Sequence, residues 1–170
     1  MRVLFRDLIW PAAAGNVAWA FLTVILSEPL TDDRVWARLA ALLLLAVYLA
    51  GEQLRSRNLL GTSAAYCVAD AFHVAMIVVF AIAAQLNKDW LEIPLLAVFV
   101  VTALGHVAGA WEEPGAANWP RRWALAGSNM LGLAVLYGSH CLFSNPFPWN
   151  LPVAGAAVLV AWFLTLRKFA

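Results

Sequence analysis

Six runs of apolar residues, each about as long as a membrane is thick, divide this chain from end to end. They fall at about 8–28, 36–53, 62–85, 90–111, 123–143 and 150–167. A hydrocarbon core about 30 Å thick is crossed by roughly 20 residues of α-helix. In lipid every backbone amide must find its partner within its own element, which leaves only helices or a closed barrel. Barrel strands alternate apolar and polar side chains, whereas these runs are apolar on nearly every side. The expected fold is therefore all-α: a six-transmembrane-helix bundle with short loops, forming a single membrane domain over residues 1–170.

Composition agrees with that reading. The chain is 64% hydrophobic and 12% charged, where a soluble domain carries about 25% charged residues. The connections "SEPLTDDR", "RSRNLLGTS", "NKDW", "EEPGAANWPRR" and "SNPFPWN" hold the turn-forming residues. Pro11, Pro94 and Pro152 lie near helix starts, where a missing amide is harmless. In "MRVLFRDLIWPAAAG", Arg6 and Asp7 interrupt the apolar stretch, so it reads as the lead into the first span rather than as a signal peptide.

Charge distribution orients the bundle. With a cytoplasmic N-terminus, the inner segments hold Arg2, Arg6, Arg55, Arg57, Arg121, Arg122, Arg167 and Lys168, while the outer loops hold only Arg34, Arg38 and Lys88. That asymmetry places both termini in the cytoplasm. Trp10, Trp36, Trp90, Trp111, Trp119, Trp123 and Trp149 fall near span ends, as an interfacial aromatic belt does. The expected location is a bacterial inner membrane.

Orientation assigns each polar residue a depth. On the third span Ser63, Tyr66, Cys67, Asp70 and His73 form one stripe that reaches mid-membrane, after which Met76, Ile77 and Phe80 continue the same side as apolar. The fourth span repeats the pattern in reverse. Thr102, His106, Gly109 and Glu113 share a face, with Phe99 and Leu95 beyond them. Tyr48 and Glu52 on the second span, Asn16 and Trp19 on the first, and Asn129 on the fifth add polar or aromatic groups at similar depths. Glu52 reads first as an exposed partner of Arg55 and second as a pocket residue, Asn16 and Asn129 also as interhelical hydrogen-bond formers, and Trp19 and Trp162 as core packing with pocket lining second.

Ionisable side chains inside a bilayer are costly, generally face the bundle interior and generally mark function. Asp70, His73 and His106 are therefore the candidate catalytic residues. Asn16, Trp19, Tyr48, Glu52, Tyr66, Thr102 and Asn129 are the candidate substrate contacts. No metal or cofactor is expected: Cys/His spacings of the zinc type are missing from the sequence, and His73 lies roughly two turns deeper than His106, which suits bis-imidazole haem ligation poorly.

A transporter needs polar contacts along a route to both faces. Here the outer half offers His140 beside Tyr137 and little else. The expectation is an intramembrane acid–base enzyme, isomerase- or cyclase-like, acting on a lipid or isoprenoid/sterol-like substrate in a pocket open to the cytoplasmic leaflet. Two alternatives stay open: a proton- or cation-coupled small-molecule transporter or its membrane substrate-binding component, and a non-catalytic subunit of a larger membrane complex. The expected partners are a membrane lipid or lipid-like molecule and a second copy or membrane-complex subunit; nothing points to nucleic acid.

Overall fold

The computed structural model describes residues 8–56, 64–112, 114–115, 119–143 and 149–168. They form six helices: α1 (Trp10–Ser27), α2 (Asp33–Ser56), α3 (Ala64–Gln85), α4 (Glu92–Glu112), α5 (Trp119–Leu142) and α6 (Asn150–Lys168). No strand occurs among the described residues.

Helix ends follow local chemistry. Asp32 caps α2, its carboxylate accepting from the Arg34 amide at 2.8 Å, and so the helix starts before the apolar run does. At the other end of α3, Asn87 adopts a left-handed φ of 49°. The Lys88 amide then reaches back to the Ala83 carbonyl, at 3.1 Å, and the Asn87 amide to Ala84, a Schellman arrangement. Pro120 falls in the first turn of α5, where its missing amide leaves no gap. That permits α5 to begin ahead of the expected span.

Five of the helices are long and apolar enough to cross a membrane. The exception is α5, whose length matches but whose hydropathy is lowered by Gly127, Ser128, Asn129, Gly132, Ser139 and His140. Helix α5 packs against α4 on one side and α6 on the other, so its small and polar residues have protein beside them.

Neighbour relations close into a ring in the order α1, α3, α4, α5, α6, α2 and back to α1. Inside, Leu45, Ile77, Phe80, Leu95, Val98, Phe99 and Val158 form an apolar filling. Outside, Leu22, Leu43, Val47, Phe72, Leu104 and Phe163 are exposed. Apolar residues on both surfaces are what a lipid-embedded bundle requires. Gly132 allows a close approach: a Cβ there would stand 2.5 Å from Val158 Cγ2 and 2.8 Å from the Phe99 ring. Similarly, the Trp162 indole lies directly on Gly51, so Trp162 packs in the core.

Of the seven tryptophans near span ends, all but one are exposed. Trp36, Trp90, Trp111, Trp119, Trp123 and Trp149 are exposed, but Trp10 is buried. Trp19 departs from its core-packing expectation in the opposite direction, being 66% exposed on the outer surface. Its position on α1 points away from Ala13, Val17, Ala20 and Val24, the residues that face the bundle.

Candidate functional site

The site lies between α3 and α4, in the half of the bundle where α1 begins and α6 finishes. Its register is set by small residues: a Cβ on Gly105 would meet the Ala69 Cβ at 3.5 Å, so these two positions stand opposite each other. From that level, residues one turn later on α3 face residues one turn earlier on α4, since the two helices are antiparallel. Asp70, His73, Thr102 and His106 accordingly line one cavity, together with Ala69, Val101 and Gly105. His73 sits about one helical turn, roughly 6 Å, deeper than Ala69.

Burial differs among the four polar groups. His73, Thr102 and His106 are buried. Asp70 is half-buried, although it lies on the same side of α3 as the buried His73, Val74 and Ile77. It therefore faces inward, and its partial exposure reflects its place nearer the end of the bundle. His73 is held by two rings. Trp10 stands edge-on to it, with centroids 5.4 Å apart and planes at 89°, and Tyr48 lies tilted at 5.8 Å. The His73 Nε2 is buried and makes no hydrogen bond among the described residues. Thr102 donates its hydroxyl proton to the Val98 carbonyl at 2.7 Å, which leaves the oxygen lone pairs directed elsewhere.

Beyond His73 and Thr102 the interior changes character. Val74, Ile77, Phe80, Leu95, Val98 and Phe99 are all buried apolar side chains. The polar stripes of α3 and α4 thus end at one level, and an apolar layer lies beyond the cavity.

No family model, curated protein or solved structure matches this chain. Geometry alone carries the reading of the site.

The other candidates lie as follows. Asn129 is buried, but its amide nitrogen donates to the Leu125 carbonyl of its own helix at 2.9 Å; Asn16 does the same with Ala12 at 3.2 Å. Neither lines the cavity. Trp19 faces outward. The side chains of Glu52 and Tyr66 lie outside the described residues, as does Glu113. Among the described residues no three His, Cys, Asp or Glu side chains are placed to hold a metal ion.

Sequence reasoning missed three features. Trp10, assigned to the belt, is a wall of the site. Arg122, counted as an interfacial cation, is buried and donates to the Gly109 carbonyl one turn below His106. At the opposite end of the bundle, Glu92 accepts from both His140, at 2.6 Å, and Asn150. The favourable position of Glu92 at a helix N-terminus and of His140 at a helix C-terminus was legible; their meeting was not.

An acid, two imidazoles and a hydroxyl on one small cavity can bind and move a proton. The aromatic faces and the apolar layer keep bulk water from the deeper imidazole.

Proposed function

We propose that this protein is an intramembrane acid–base enzyme acting on a lipid or isoprenoid-like molecule. The observation that carries this reading is the meeting of Asp70, His73, Thr102 and His106 on one cavity with an apolar layer beyond it. Proton transfer from a positioned side chain typically supplies about 10²–10⁴-fold of rate. Asp70, nearer the end of the bundle, is the group that exchanges its proton with the surroundings. His73, locked between Trp10 and Tyr48, is oriented for transfer at the inner end. His106 lines the same cavity on α4. The cavity volume is only about 20 Å³, so a substrate presents its reacting end there and keeps its apolar body in the surrounding lipid.

The proposed setting is a bacterial inner membrane with both chain termini cytoplasmic, supported by the excess of basic residues in the segments on that side. The cavity is then reached from the cytoplasmic leaflet. One-sidedness favours an enzyme over a transporter, because a transport route needs polar contacts on both sides of that layer.

Asp70→Asn tests the role. It preserves shape and much of the hydrogen bonding while removing the titratable proton. The variant is expected to extract and melt as the parent does, yet to lose turnover of extracted membrane lipid followed by mass spectrometry. Full turnover with an unchanged pH profile would end the acid–base assignment.

A further inference from the structure

Two cavities of the same size lie within the bundle, and they differ in lining. The one at the site, about 20 Å³, is bounded by Asp70, His73, Thr102 and His106. The other, also about 20 Å³, is bounded by Leu45, Leu95, Val98, Phe99 and Val158, with Tyr48 as the one polar side chain in its lining, too few partners to hold a water. A cavity needs roughly 10–15 Å³ to admit one water, and the water needs two to four polar partners to stay; apolar cavities of sufficient size remain dry. Size therefore permits a water in either, and chemistry selects between them.

We infer that the cavity between α3 and α4 binds a single water molecule that links His73 to Asp70, while the other cavity is dry. Three observations converge on it. The His73 ring is buried on the cavity wall, and its Nε2 makes no hydrogen bond among the described residues. A buried imidazole nitrogen left unmatched is costly, which a water relieves. The Thr102 oxygen, its proton committed to Val98, accepts from such a water. Asp70 supplies a carboxyl group on the side nearer the end of the bundle.

The water then completes a relay. In the forward direction a protonated Asp70 donates to the water oxygen as the water passes a different proton to His73 Nε2. The products are an Asp70 carboxylate, a His73 imidazolium and an intact water, so charge and atoms balance. Water binding stands on the cavity alone; the relay rests on the acid–base reading above.

Gly105→Ala tests the site. The added methyl meets only Ala69 Cβ at an ordinary 3.5 Å, so it fits the fold while taking space from the cavity that Gly105 lines. The full chain in lipid nanodiscs, labelled with ¹⁵N-histidine, is measured by solid-state NMR for magnetisation transfer from water to the His73 ring nitrogens. The expected result is strong transfer in the parent and a severalfold loss in Gly105→Ala at unchanged melting temperature. Absence of transfer in the parent, or equal transfer in both proteins, overturns the water site. Should Gly105→Ala fail to fold, Thr102→Val, close in shape but lacking the acceptor oxygen, is expected to weaken transfer, and unaltered transfer there overturns the proposal. A parent that shows transfer, with an Asp70→Asn variant that turns over lipid normally, keeps the water and removes the relay.

Discussion

Arg38 Nη1 lies 2.7 Å from Glu28 Oε1 and, in the same pose, donates to the Ala84 carbonyl at 2.8 Å. One guanidinium therefore joins the end of α1, the start of α2 and the end of α3. The Ala84 carbonyl thereby takes a second donor beside the Asn87 amide of the Schellman turn. Arg38 is 1% exposed and the Glu28 side chain 20%. Breaking a buried pair by removing one partner destabilises by about 3–5 kcal/mol. Arg38→Met is expected to fall toward the lower end of that range, because Glu28 retains some solvent, and Glu28→Gln, which leaves the buried Arg38 charge uncompensated, to lose at least as much. Thermal unfolding in detergent measures both; two unshifted melting curves would mean that the clamp contributes nothing.

Two glycines of α5, five residues apart, are expected to respond oppositely to alanine. Gly132→Ala places a methyl against Val158 and Phe99, and overpacking of a filled core costs about 1–3 kcal/mol. Gly127→Ala meets nothing within 4 Å and stabilises the helix by up to about 1 kcal/mol. A differential unfolding measurement on the two variants decides whether α4, α5 and α6 meet where the structure places them.

At the far end of the bundle, Glu92 holds His140 and Asn150. His140 is 48% exposed, and an exposed ion pair contributes only about 0–1 kcal/mol. His140→Ala is therefore expected to be nearly neutral, and its small effect to shrink further in high salt. Glu92→Ala also strips the buried Asn150 amide of an acceptor, for an expected loss of about 1–3 kcal/mol. Similar losses for the two variants would show that the weight lies on the histidine instead.

Orientation has a labelling test. Asp33 and Pro114 are both exposed and lie at opposite ends of the bundle. In a cysteine-free background, Asp33→Cys is expected to react with an impermeant maleimide applied to intact cells, and Pro114→Cys only after permeabilisation. Pro114 is preferred to Gly115, whose φ of 81° would strain a side chain. The reverse labelling pattern would move the site cavity to the outer leaflet.

Periodicity along each helix was legible before any coordinates. The spacing of Asp70, His73, Thr102 and His106 put each pair on one side of its own helix, and the polar stripes ended where Ile77, Phe80, Leu95 and Phe99 began. Those four residues line one cavity in the structure. Asn16 and Asn129 do not line it; their amide nitrogens donate to carbonyls of their own helices. An amide side chain four residues from a backbone carbonyl can always turn back, and spacing does not reveal that choice.

What the sequence determined by itself was the class of element, the place of each residue along its helix and its direction around that helix, because these follow from hydrocarbon thickness, the helical rise and the 3.6-residue repeat. Which helix stands beside which is a different kind of fact. The closed order α1–α3–α4–α5–α6–α2 turned Trp10 inward onto His73, sent Trp19 outward, and brought Arg38 to Ala84 and Glu92 to His140. Lipid tails and apolar side chains solvate a helix about equally well, so hydrophobicity does not choose its neighbours. Close packing at Gly51 and Gly132 and a few charge-assisted hydrogen bonds make that choice, and both act only once the helices have met.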